Sequence, residues 1–379
     1  MKSSDDIYQR LQHHLDQMPI AFPATKTGIE LRLLKHLFSP EEAEIALALS
    51  AVPEPVEKIH RRLKGTRIPI EALRADLARM AAKGAIMAGR GMRGGKPVPA
   101  YGKAPLVVGM FEFQVNHLTK EFMEDFHAYQ DEAGSPILTK KTSQMRTVPI
   151  NTRVGEPGAI GRYDDIRGYV RETRGPFGVM NCVCRQAQNV MGHSCMSSEN
   201  SETCLTIGGA AVYMQKLGHA RLVLREEMLA ILDRAERDGL VLQPQNTQSP
   251  DFICCCCKDC CEVLKNARKL SRPAELFKTN FQAHVDAERC TGCATCVKRC
   301  PMDAVTVSDN FARVDGNLCI GCGLCASSCK EEAMRLRPRD GQVIPPPDQR
   351  AMYQKIMRER YGPLRMIAKR AWIMLGMKS

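Results

Sequence analysis

The sequence predicts an α+β chain assembled from distinct parts, and three observations carry that reading. Residues 1–104 hold capped helical segments followed by a glycine-rich basic turn, ten of the 18 cysteines crowd into 182–261, and the other eight form two runs of matching spacing within 280–338. Residues 105–175 are read as a connecting region, 176–275 as a Cys-rich domain and 345–379 as a basic tail. A chain of 379 residues, 44% hydrophobic and 25% charged, is long enough to bury more than one core.

In the first part, Ser39-Pro40-Glu41-Glu42 starts a helix, with serine as N-cap, proline in the first turn and Glu42 placed to close a capping box. From Ile70 to Lys83, the residues Ile70, Leu73, Leu77 and Met80 share one helical face, and Gly84 is placed to end the helix. The following IMAGRGMRGGKPVPAYGK has a basic glycine tip between two extended runs, as a hairpin does. Helices closed by such a hairpin resemble a winged-helix domain, a resemblance that implies either DNA reading or protein docking. The helix face offers Arg74, Arg79 and Lys83 to a duplex but also Glu71 and Asp76, so DNA is the lesser expectation. Farther on, Arg146, Arg153, Arg162, Arg167, Arg171 and Arg174 read as scattered surface charge rather than as an anion site.

The opening MKSSDDIYQRLQ has no apolar centre of a signal peptide, and no run approaches the roughly 18 apolar residues of a membrane span, so a cytoplasmic protein is expected. In that compartment thiols stay reduced. Eighteen cysteines then argue for metal ligation or redox chemistry, not for disulfides.

The C-terminal cysteines are the most specific. Cys290, Cys293, Cys296 and Cys300, followed by Pro301, keep the C-x2-C-x2-C-x3-C-P spacing, and Cys319, Cys322, Cys325 and Cys329 repeat it. A [4Fe–4S] cluster needs four thiolates; cysteines three apart on a tight loop supply three, and in two-cluster arrangements the fourth cysteine of each run serves the other cluster. This assigns Cys290, Cys293, Cys296 and Cys329 to one cluster, and Cys319, Cys322, Cys325 and Cys300 to a second. Gly292 and Gly321 separate the first two ligands of each run, where a small residue lets backbone N–H groups approach the cluster; Val297, Ile320 and Leu324 supply an apolar shell. With its AVTV and ARVD runs as a strand pair, the stretch 285–336 resembles bacterial-type dicluster ferredoxins, departing from them at Lys330, where that family has a second proline. Zinc is the rival occupant of paired C-x2-C motifs, and two complete four-cysteine runs argue against it.

The middle cysteines are Cys182, Cys184, Cys195, Cys204, Cys254, Cys255, Cys256, Cys257, Cys260 and Cys261. On an extended segment Cys254 and Cys256 face one way, Cys255 and Cys257 the other, while Lys258-Asp259 permits a turn that returns Cys260 and Cys261. The stretches NCVCR, GHSC, ETCL, RDGLVLQPQN and ICCCCKDCC resemble a Cys-rich region found beside dicluster modules in iron–sulfur proteins of anaerobic bacteria. That resemblance implies iron–sulfur binding, and its asparagine at the position of Cys255 makes Cys255 the spare thiol. Cys182, Cys184, Cys195, Cys204, Cys254, Cys256, Cys257, Cys260 and Cys261 are thus the candidate ligands of one or two additional Fe–S clusters. A structural zinc site and a thiol active site near Lys258 or Arg185 are the competing readings. His193 is a further candidate ligand beside Cys195. The stretch 225–238 reads as an amphipathic helix, ended by Gly239, that packs Met228, Leu229, Ile231 and Leu232 inward.

Residues 350–379 carry eight Lys or Arg against Glu359 alone, more than half of the net charge of +12. Leu364, Ile367, Ala371 and Met374 or Leu375 keep helical spacing beyond a break at Gly362-Pro363, so the tail is expected to dock on a partner or on the inner membrane face. The reading that unites these features is an electron-relay subunit of a redox complex, exchanging electrons with a donor and an acceptor protein. Two others stand beside it: an iron–sulfur oxidoreductase with its own active site, and a redox- or iron-responsive winged-helix regulator.

Overall fold

The computed structural model describes residues 4–374 apart from 64, 66–67, 135–140 and 156–159; of residues 4–5 and 363–374 only the backbone is described. The chain divides into two compact units, 1–137 and 138–379.

In the first unit, helices Ser4–Asp16, Ile29–Leu37, Pro40–Ala46, Val56–Arg62 and Ile70–Ala82 precede a hairpin, Ile86–Arg93 paired with Lys96–Lys103. The short strand Glu54–Pro55 adds to the hairpin's second strand and completes a three-stranded sheet. Ser39 and Glu42 form the reciprocal capping box, the Glu42 amide donating to Ser39 Oγ at 3.3 Å and the Ser39 amide to Glu42 Oε2 at 2.8 Å. Leu73, Leu77 and Met80 are fully buried, each contributing roughly 1.5–3 kcal/mol of burial free energy. The charges on the opposite face of that helix are paired: Arg79 with Asp76 at 2.7 Å, Arg74 with Glu71 at 3.3 Å, and Lys83, just past its end, with Glu42 of Pro40–Ala46. A further helix, Lys120–Ala133, buries Phe122, Met123, Phe126 and Tyr129 in this unit, with Phe111 stacked on Phe126 at 4.3 Å. Residues 105–133 therefore complete the first core.

The second unit is built on a five-stranded antiparallel sheet in the order Ala220–Val223, Phe177–Asn181, Glu202–Ile207, Phe252–Cys256, Val241–Pro244. Helix Arg225–Asp238 packs Met228, Ile231, Leu232 and Ala235 inward and stops at Gly239, whose φ of 74° is the left-handed cap an L-residue resists. Leu229, expected among these inward residues, is only partly buried. Beyond the sheet, Phe281–Val285 pairs with Met334–Pro338, and Val305–Ser308 with Phe311–Val314. One apolar core runs through both parts, from Val179, Leu205 and Ile253 to Leu324 and Leu336.

Residues 145–155 bridge the two parts. The amides of Arg146 and Val148 donate to the carbonyls of Pro244 and Leu242 along the sheet edge, and the Ile150 amide donates to the Cys322 carbonyl at 2.9 Å. Two arginines expected on the surface are buried here instead. Arg146 pairs with Asp164, both at most 4% exposed, and Arg167 reaches Asp233 at 3.1 Å and Glu236 at 3.0 Å. The expectation failed because a charged side chain with a carboxylate packed beside it in the fold can be buried, and these partners lie too far along the chain for spacing to reveal.

The last helix, Gln349–Met374, is interrupted at Gly362. The apolar stripe expected at Leu364, Ile367, Ala371, Met374 and Leu375 lies outside the described side chains. Among the described residues no helix is long and apolar enough to cross a membrane.

Candidate metal centres

Each C-terminal cysteine run is a loop leading into a helix of one turn, Thr295–Arg299 in the first and Leu324–Ser327 in the second. The loops are tight because Gly292 and Gly321 adopt φ of 67° and 68°. At both, a side chain would also meet neighbouring backbone: a Cβ on Gly292 would lie 2.6 Å from the Asn310 carbonyl oxygen, and one on Gly321 2.4 Å from that of Phe281. The glycines thus let the first loop press against the turn at Asn310 and the second against the strand Phe281–Val285, a reason beyond the amide access that the spacing suggests.

Around these loops the eight thiols gather in two sets of four. Cys290, Cys293, Cys296 and Cys329 line one hollow of about 380 Å³, counted out to solvent, together with Val285, Val307 and Met334. Cys300, Cys319, Cys322 and Cys325 line another of about 320 Å³ with Met302, Val305, Ile320 and Leu336. In the second set all four cysteines are buried, whereas Cys293 in the first is exposed. Backbone amides already point at sulfur: Ala304 N–H donates to Cys300 Sγ at 3.2 Å and Ala283 N–H to Cys319 Sγ at 3.4 Å.

Four thiols around an apolar hollow suit an iron–sulfur cube. Burial pushes the Cys300, Cys322 and Cys325 thiols up, so a free thiolate is disfavoured there, and a cationic iron core is what allows four such sulfurs to be charged together. Cys293 is shifted the other way by the Thr295 hydroxyl beside it.

The middle cysteines divide differently. Cys204 lies opposite Cys254 across paired strands, and Cys254 shares a strand face with Cys256. Thiol contacts then run from Cys256 to Cys261, from Cys261 to Cys184 and from Cys184 to Cys182. Cys182 and Cys261 each stand at the N-terminus of a helix, Val183–Val190 and Glu262–Ala267. Within this set of six, thiol hydrogen bonds from Cys204 and Cys256 hold Cys254 low, and those from Cys184 and Cys256 hold Cys261 low, while the donors Cys184 and Cys256 are raised.

A separate set of three comprises Cys195, Cys257 and Cys260, with Cys195 Sγ 3.7 Å from Cys257 Sγ. Cys255 belongs to neither set; it is 1% exposed, and burial drives its thiol up. His193 is exposed on its loop. Spacing alone missed Asp259 as a site residue: its carboxylate joins the set of three and accepts from the Met196 amide and the Ser197 hydroxyl, each at 2.6 Å. Its position inside Cys257-Lys258-Asp259-Cys260 was the available signal.

Residues 283–330 match the family model described as the 4Fe-4S dicluster domain. No curated protein matches the chain, and no solved structure does. The dicluster domain and the many cysteines together suggest an iron–sulfur protein of the electron-transfer kind. Such a domain suggests redox partners in general.

Proposed function

We propose that the chain is an electron-relay subunit of a redox complex. In this reading Cys290, Cys293, Cys296 and Cys329 hold one [4Fe–4S] cluster and Cys319, Cys322, Cys325 and Cys300 the other. The observation that carries it is the pair of hollows, each lined by four thiols drawn from both runs. When bound, each cluster supplies a one-electron couple.

The residues govern how that couple is tuned and reached. Amide donors from Ala283 and Ala304 offset negative charge on Cys319 and Cys300, and the apolar wall of Met302, Val305, Ile320 and Leu336 keeps water from the buried set. Exposed Cys293 gives the other set its access to solvent and so to a partner protein. The six-thiol set, Cys182, Cys184, Cys204, Cys254, Cys256 and Cys261, offers more than the four ligands that one further iron–sulfur cluster requires. Against the DNA-reading alternative stand Arg74, Arg79 and Lys83, each already engaged by a carboxylate.

The test is iron and acid-labile sulfide per chain on anaerobically prepared protein, with electron paramagnetic resonance of the reduced state. About twelve irons are expected, falling to about eight in Cys204→Ser and Cys256→Ser, with two interacting spin centres retained. Fewer than about eight irons in the native chain, or no reducible spins, would sink the relay reading.

A further inference from the structure

The three-thiol set differs from the other cysteine groups in a way that determines what it can hold. A cubane cluster places each thiolate on its own iron at a separate corner, so its sulfurs stand apart around a hollow, as the two sets of four do. In the set of six the contacts run as a chain, from Cys256 through Cys261 and Cys184 to Cys182, but in the set of three every donor atom is close to every other. A tetrahedral cation with metal–sulfur bonds of about 2.3 Å brings its thiolates to about 3.8 Å from one another. Cys195 and Cys257 are 3.7 Å apart, and the donor atoms of Cys195, Cys257, Cys260 and Asp259 all lie within 4.8 Å of one another. Cys257 and Cys260 also keep the C-x2-C spacing of a zinc knuckle.

Arg185 is a second, independent pointer. It is 3% exposed, donates one N–H to the Asn200 carbonyl, and leaves Nε and Nη2 without a hydrogen bond. Its guanidinium lies beside Cys257, with Cys182 and Cys195 also near. A buried arginine with unpaired donors is costly unless negative charge is placed beside it, and metal-bound thiolates would supply that charge.

We propose that Cys195, Cys257, Cys260 and Asp259 bind a single tetrahedral divalent cation, zinc by its preference for thiolate, with Arg185 as the neighbouring counter-charge. Three thiolates and a carboxylate leave two negative charges in excess over the dication, and Arg185 offsets one of them. Asp259 is held for this role by Met196 N–H and the Ser197 hydroxyl, which use one lone pair on each oxygen and leave another for the metal. The site needs no electron transfer, and it locks the 195–198 loop to the 257–260 turn. The proposal does not depend on the relay reading, since the ferredoxin module shares none of these residues.

The test begins on the unaltered full chain, so no variant need fold. Metal analysis should find about one zinc per chain besides the iron, and zinc-edge X-ray absorption should show three sulfurs at about 2.3 Å and one oxygen at about 2.0–2.2 Å. Cys195→Ser should lose that zinc while keeping the spin signals of the ferredoxin module, and Arg185→Gln should weaken zinc binding by about 10–100-fold. Zinc absent from protein prepared in zinc-replete medium overturns the proposal. So does a loss of about four irons with their sulfide in Cys195→Ser, the mark of a cluster at this site. A four-sulfur shell, or Asp259→Asn that holds zinc unchanged, overturns the assignment of Asp259. Fewer than eight irons with the zinc intact would count against the relay reading alone.

Discussion

The two cysteine-rich regions share one chemistry and differ in geometry. In the C-terminal region each thiol belongs to one of two short runs, and the eight side chains stand back around two hollows. In the middle region the thiols come from strands, helix starts and a turn spread over 182–261, and they touch one another. A sequence motif is readable where the ligands are local, because a tight loop fixes their relative positions. Where a sheet assembles them, the grouping is a tertiary fact.

The largest effect is expected where the two regions meet. Arg146 sits on the 145–155 bridge, and its buried pairing with Asp164 is extended by the Asn280 side chain, which donates to Asp164 at 3.0 Å. Arg146→Met strands a buried carboxylate, at a cost of about 3–5 kcal/mol. Denaturant unfolding followed both by cluster absorbance and by far-ultraviolet circular dichroism should show the two regions weakened together. Loss confined to one of them would mean that the shared core does not couple them.

Gly321→Ala comes next. The left-handed φ and the contact with the Phe281 carbonyl act together, giving about 2–4 kcal/mol and a loss of iron from the buried set. Gly341 is the control: its φ is 71° but nothing lies within 4 Å of its Cβ position, so Gly341→Ala should cost only the backbone term of about 1 kcal/mol. Equal costs at both sites would show that close approach adds nothing at Gly321.

Within the ferredoxin module, exposure separates the two sets of thiols. Air oxidation of the loaded protein should destroy the centre beside exposed Cys293 before the one walled in by Cys319, Cys322 and Cys325. Stepwise loss of paramagnetic resonance signals checks the order, and Cys293 labelled by a thiol reagent ahead of Cys322 identifies the first centre lost.

These contrasts also show how much the sequence revealed. The capping box at Ser39 and Glu42, the helix 225–238 with its Gly239 stop, and the strand pair 305–314 were all legible, because each rests on contacts a few residues apart. The bridge at 145–155 was not, since its order comes from hydrogen bonds to Pro244, Leu242 and Cys322. Alternation along ICCCCKDCC separates Cys254 and Cys256 from Cys255. It could not show that Cys257 leaves the strand for a turn and joins Cys195, or that Asp259 faces the same point.

Cys255 offers the finest test of that division. It lies on the same strand as Cys254 and Cys256 but opposite Leu242, in the apolar core, and belongs to neither thiol set. Its raised thiol remains protonated and behaves as a small apolar side chain. Cys255→Ala should therefore leave iron, sulfide and zinc unchanged and cost about 1 kcal/mol of packing, readable as a small shift in the unfolding midpoint. Cys254→Ser, one residue away, should lose metal at little packing cost. If Cys255→Ala loses iron as well, the strand does not divide its cysteines by face, and the separation into a set of six, a set of three and one buried thiol is wrong.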